Sequence, residues 1–165
     1  MQAFRVADRR YPIFDATGSR LNGGRWNSQG HGMIYAAQTY AGALLEVLVH
    51  ANLRVMPRNH GLVMIEIPDN IETDRPSAAI VMGWPRGDIQ ARLFGDRWLR
   101  EQRSAVLIVP SIVLQGRELN YLINPAHPDF RRIVASVPEP VDWDGRLFQR
   151  AESSAAKSTP RQVKV

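Results

Sequence analysis

"GGRWNSQGHGMIYAAQTYAGALLEVLVHANL", residues 23–53, decides how the rest of the chain is read. It opens on two glycines, whose freedom lets a backbone or a ligand come close, with Arg25 and Trp26 directly after them. "MIYAA" (33–37) then reads as a short strand. Thr39–Leu53 has helical length, with Thr39 as a possible N-cap and Pro57 shortly beyond the end. Within that helix Glu46 stands inside "ALLEVLVH", flanked on both sides by apolar residues. A carboxylate so placed is costly if buried without a partner, which makes it a candidate for chemistry. The alternative is a narrow polar stripe, because Gly42, Glu46 and His50 are four residues apart and could face water together.

On the N-terminal side, "AFRVA" reads as a strand, followed by a loop through Asp15, Gly18, Gly23 and Gly24. On the C-terminal side, "GLVMIEI" (61–67) reads as a buried strand stopped by Pro68, and a loop with Pro76, Gly83 and Pro85 follows. Residues 87–102 read as a helix whose Ile89, Leu93, Phe94, Trp98 and Leu99 approximate one face. Strands are expected at 105–110, 112–114 and 131–137, broken by Gly116 and by the prolines of "NPAHP". Strands and helices thus mix without a repeating unit. Neither GxGxxG nor GxxxxGK[ST] occurs, so neither of those phosphate-binding loops is indicated.

The 165 residues suit one domain, residues 1–150, ending in a tail of different character. Residues 151–165, "AESSAAKSTPRQVKV", hold both lysines and almost no bulky apolar residue, and read as a disordered basic tail. The absence of cysteine removes disulfides, thiolate metal sites and a cysteine nucleophile, and suits the reducing cytoplasm. No apolar run reaches the ~20 residues that span a bilayer, and the start lacks the apolar stretch of a signal peptide.

A net charge of +5 and a pI of about 10.2 raise nucleic acid as a partner. The basic residues are dispersed, however, and their longest runs are the pairs Arg9–Arg10 and Arg131–Arg132. An arginine-lined cleft would equally suit a dinucleotide, since the guanidinium fork matches phosphate oxygens. Four histidines, His31, His50, His60 and His127, show no tight ligand spacing, so no metal site is expected.

Five further residues stand out. Trp26 could stack on a base or plug the core; Tyr35 alternates with Met33 and Ala37 on one strand face, as a core tyrosine would. Ser111, after Pro110 at a strand end, could act as a nucleophile or simply end the strand, and no GxSxG elbow surrounds it. "NPAHPDF" (124–130) fixes Asn124 and His127 between prolines, as ligand contacts or as a structural turn.

In their order, "GGRWNSQGHGMIYAAQTYAGALLEVLVHANL", "GDRWLREQRSAVLIVPSIV" and "LNYLINPAHPDF" resemble the RES domain family of toxins, named for an arginine, a glutamate and a serine. The resemblance runs from about Phe4 to Val137 and leaves out the tail. It implies an α+β fold similar to the ADP-ribosyltransferases, a split mixed β-sheet with helices around an NAD cleft. It places Arg25, Tyr35, Glu46 and Ser111 on the family's functional positions, and Asn124 on the asparagine of its "NPxHPDF" element. Gln29 and Gly42 depart from the family's pattern without touching those groups.

What the resemblance implies chemically is cleavage of the nicotinamide–ribose bond of NAD, a neutral leaving group that needs no general acid. Arg25 would hold the diphosphate, Tyr35 would pack against the nicotinamide end, Trp26 would be a further substrate contact, and Glu46 would stabilise the oxocarbenium ion, with Ser111 and Asn124 orienting the ribose or nicotinamide amide. Capture by phosphate or water would make an NAD phosphorylase or hydrolase; capture by a protein side chain would make an ADP-ribosyltransferase. An NAD consumer endangers its own cell, so the family implies a cognate Xre-like helix-turn-helix antitoxin that blocks the cleft and carries the DNA binding. A basic nucleic-acid-binding module without catalysis is the alternative from another class.

Overall fold

The computed structural model describes residues 1–50, 56–77, 80 and 89–148. The expected tail at 151–165, the last residues of the helix read to Leu53, and the loop positions Gly83 and Pro85 lie outside the described residues.

Among the described residues, eight strands form one mixed sheet: β1 (Gln2–Asp8), β2 (Ile34–Ala37), β3 (His60–Glu66), β4 (Thr73–Asp74), β5 (Val106–Pro110), β6 (Leu119–Ile123), β7 (Val134–Ala135) and β8 (Glu139–Pro140). Their order is β4-β5-β6-β2-β1-β3-β7, with β8 also paired to β3. Every pairing is antiparallel except that of β4 with β5. Among the described residues, the α-helices that accompany it include α1 (Thr17–Asn22), α2 (Tyr40–His50) and α3 (Ile89–Glu101). The α+β class with a mixed sheet and surrounding helices is therefore the architecture observed.

The period-2 alternation of strands explains why the sheet is covered on both faces. In β5, Val106 and Ile108 join Ile34, Val63, Ile65 and Ile123 in one buried cluster, whereas Leu107 and Val109 join Trp26, Phe94, Trp98 and Leu99 in another. α3 lies over the second cluster. A smaller cluster of Val6, Ala37 and Ala43, with Phe4, Leu62 and Val47 against it, seats α2 on the sheet. Thr39 caps α2 as expected, its Oγ1 accepting the Gly42 N–H at 2.9 Å.

Several elements differ from the sequence reading. Residues 112–114 are not a strand but part of a turn, closed by Gly116 N donating to Ser111 O at 2.7 Å and by Gln115 and Gly116 at φ 54° and 75°. The strand of this region is β6, at the centre of the sheet between β5 and β2. Of residues 131–137 only Val134–Ala135 pair, because Pro128–Arg132 form a 3-10 turn capped by the His127 ring, which accepts from Asp129 N at 3.1 Å. On α3, Ile89 and Leu93 are 68% and 58% exposed, so the buried face is instead Ala91, Phe94, Gly95, Trp98 and Leu99. The expected loop before Gly23 contains α1, whose first N–H, from Thr17, is accepted by Asp15 Oδ1 at 2.7 Å.

Candidate active site

A cleft of about 790 Å³ opens between α2, the loop after α1, and the ends of β5 and β6. That volume lies in the range of about 300–1,000 Å³ typical of small-molecule sites. Its polar lining includes Arg5, Arg25, Tyr35, Glu46, His50, His60 and Asn120, beside apolar walls that include Phe4, Val6, Ala37, Val47, Val109 and Leu122.

The loop that carries Arg25 is anchored on both sides. Gly23, at φ 71°, turns out of α1, and its N–H reaches Ser19 O at 2.8 Å. Asn27 is fully buried, and its amide donates to Ser19 O at 2.9 Å and His31 O at 2.7 Å. The Tyr35 hydroxyl donates to Asn27 Oδ1 at 2.6 Å and accepts the Trp26 N–H at 3.1 Å. From α3, Asp96 Oδ1 accepts the Ser28 N–H at 2.8 Å. A Cβ on Gly24 would lie 2.5 Å from the Tyr35 hydroxyl, so the second glycine is required by that close approach. Burial pushes the Tyr35 phenol up to about 12, opposed by its bond to Trp26 and by the charges of Arg92 and Arg25.

Trp26 lies at the boundary of cleft and core. It borders the cleft, yet its side chain is buried in the cluster under α3, edge-on to Phe94 at 6.4 Å. The plug reading describes that side chain.

Glu46 faces the cleft rather than a solvent stripe. Its Oε1 accepts from Asn120 Nδ2 at 2.9 Å and from Ser111 Oγ at 3.2 Å. Gly42, the first residue of the supposed stripe, is buried, and a Cβ there would meet the Glu118 carboxylate at 3.1 Å. Ser111 is itself buried, and its Oγ also accepts the Leu114 N–H at 3.3 Å. It reaches the carboxylate from behind, as a positioning group would.

Asn124 is not brought to the cleft. It is 1% exposed; its Nδ2 donates to Leu99 O at 3.2 Å and its Oδ1 accepts the Ala126 N–H at 3.0 Å, so the side chain ties the end of β6 to α3. The asparagine beside Glu46 is Asn120, set opposite Ala37 on β2 and Val109 on β5. Sequence reasoning also missed Arg5. From β1 its Nε donates to Ile13 O at 2.6 Å and its Nη1 to Tyr35 O at 2.7 Å, while burial lowers its proton affinity and Asp15 partly restores it. An arginine inside the otherwise apolar "AFRVA" was the available signal.

Two guanidinium groups and one hydrogen-bonded carboxylate in one partly apolar cleft can bind an anion and stabilise a cation that develops nearby. Among the described residues, no cluster of three His, Asp or Glu side chains is placed to hold a metal ion.

Comparison with known proteins gives the family. Residues 2–144 match the model of the RES domain. The chain belongs to the RES domain family. A relative from Sphingobium sp. (strain YBL2), the Prs ADP-ribosylating toxin, is 39% identical over 140 residues, covering 81% of this chain and 86% of the relative. Toxin Res of Pseudomonas putida (strain KT2440) is 34% identical over 140 residues, covering 84% and 94%. Toxin Res of Yersinia enterocolitica is 36% identical over 157 residues, covering 89% and 99%. This chain is accordingly a RES-domain toxin. In fold it resembles the M. tuberculosis MbcT-MbcA toxin-antitoxin complex, with a TM-score of 0.66 at 14% identity, covering 85% of this chain and 83% of that one. No described helix of this RES-domain toxin is long and apolar enough to cross a membrane.

Proposed function

We propose that this RES-domain toxin of a toxin–antitoxin system cleaves the nicotinamide–ribose bond of NAD and depletes it in the cytoplasm. The observation that carries the reading is Glu46, a single carboxylate held by Asn120 and Ser111 in a cleft whose cationic side chains are Arg5 and Arg25. Arg25 holds the diphosphate, with Arg5 adding positive charge deeper in the cleft. Tyr35 packs against the nicotinamide end and keeps the loop of Arg25 in place.

Glu46 Oε2 accepts a ribose hydroxyl, and the carboxylate charge stabilises the oxocarbenium ion as the bond breaks. Nicotinamide leaves as a neutral molecule, so one carboxylate is enough, where most glycosidases need two. Phosphate or water then takes the ADP-ribosyl group.

A second reading has its own support. The Sphingobium relative is named an ADP-ribosylating toxin, and the same first step followed by capture on a protein side chain gives that activity. The structural neighbour is a toxin–antitoxin complex, which supports an antitoxin partner; to that partner we assign the blocking of the cleft, the Xre-like type and any DNA binding.

Nicotinamide release, followed chromatographically, tests the assignment. Glu46→Gln keeps shape and hydrogen-bond acceptor but removes charge, and should slow release by about 10²–10³-fold. Arg25→Ala should chiefly raise KM for NAD. Full turnover by Glu46→Gln would remove the carboxylate from the mechanism.

A further inference from the structure

The cleft does not end at Glu46. One helical turn further along α2, at its last residue, His50 also lines the cleft, and its ring is exposed at the mouth. Residues four apart on a helix share a face, with Cβ atoms about 6 Å apart. His50 Nδ1 lies 2.8 Å from the backbone carbonyl oxygen of Glu46. A carbonyl can only accept, so Nδ1 is the nitrogen that carries the proton. In the neutral ring the lone pair is then on Nε2, the tautomer being fixed by the partner of the other nitrogen.

We propose that His50 Nε2 is the general base that activates a hydroxyl-bearing acceptor, water or an alcohol, against the ribosyl carbon. The inference rests on the NAD-cleaving reading above and names the acceptor class that the open side of the cleft activates. As the C1′–N bond breaks, its electron pair leaves with nicotinamide. The acceptor oxygen forms the new bond to C1′, and its proton passes to Nε2 and from there to solvent. Anionic acceptors that arrive without a proton gain nothing from this base.

Departure of nicotinamide can limit the overall rate, so the informative quantity is how the product divides between competing acceptors. The purified toxin is incubated with NAD in water containing methanol and azide, and the ADP-ribose, methyl and azido products are quantified by mass spectrometry. His50→Asn keeps a donor where Nδ1 stands and removes the base; His50→Gln is the second variant should the first fail to fold, as judged by circular dichroism. Loss of general-base help should lower the ratio of oxygen-bonded to azido product about 100-fold. An unchanged ratio in a folded variant, with nicotinamide still released, would overturn the role of His50 and leave NAD cleavage standing. Intact NAD with the wild-type protein would overturn both.

Discussion

Gly95 of α3 sits directly under the loop that presents Arg25. A Cβ at this position would lie 1.8 Å from the Trp26 carbonyl oxygen and 2.9 Å from its carbonyl carbon, both backbone atoms. To relieve the contact in Gly95→Ala, the loop would have to retreat from α3 by more than about 1 Å, straining the Asp96–Ser28 bond next to it. Overpacking of this kind costs about 1–3 kcal/mol, and a rigid backbone neighbour puts it at the upper end. Alanine returns about 1 kcal/mol of helix propensity, which leaves a net loss of roughly 2 kcal/mol. At about 2–4 °C per kcal/mol for a chain near this size, Tm should fall by roughly 4–8 °C. Because Trp26 adjoins Arg25, KM for NAD should rise as well. Gly18→Ala is the internal comparison: nothing lies within 4 Å of the added methyl in α1, so stability should hold or rise by up to about 1 kcal/mol. Thermal unfolding of both variants decides the matter. A Gly95→Ala protein as stable as wild type, with unchanged KM, would refute the packing argument.

Tyr35→Phe leaves the Trp26 N–H and Asn27 Oδ1 without their shared partner and should cost about 1–3 kcal/mol in denaturant unfolding. The phenol titrates near 12 in the folded protein against 10.0 ordinarily. Its neutral form therefore stabilises the fold fully below pH 10, and that contribution, on the order of 2–3 kcal/mol, is lost as pH rises from 10 through 12. Stability curves at alkaline pH should show this loss in wild type and a smaller one in Tyr35→Phe. Asn120→Ala removes a donor to Glu46 and should lower kcat for nicotinamide release about tenfold, with a smaller change in Tm. Asn124→Ala should do the reverse, lowering stability by about 1–3 kcal/mol while KM for NAD stays unchanged.

Elements set by local pattern were legible from the sequence. The alternation of β1 and β3, the capped start of α2, and the apolar residues Phe94, Trp98 and Leu99 of α3 all follow from spacing within a few residues. What depended on distant pairing was not. "LNYLI" alone does not announce a central strand, and only its register against β2 and β5 shows that Asn120, not Asn124, stands beside Glu46. The turn at 112–116 follows from two residues at positive φ, one of them Gln115, which carries no such preference. Arg5 and Asn27 are exposed to view in the sequence, but their importance lies in partners 8 to 30 residues away. Glu46 is the reverse case: a charge in an apolar helix is costly if buried, so its immediate neighbours mark it as a candidate, while only the fold shows that it faces the cleft and not a solvent stripe.

NAD is the molecule whose consumption defines the proposed activity. The purified toxin, freed of any bound partner and folded by circular dichroism, should be mixed with NAD with and without inorganic phosphate, and the products identified by mass spectrometry. Release of nicotinamide with ADP-ribose, or with its phosphorylated form when phosphate is present, is the predicted result. NAD left intact in both mixtures, together with no detectable binding of NAD to the wild-type protein, would contradict it.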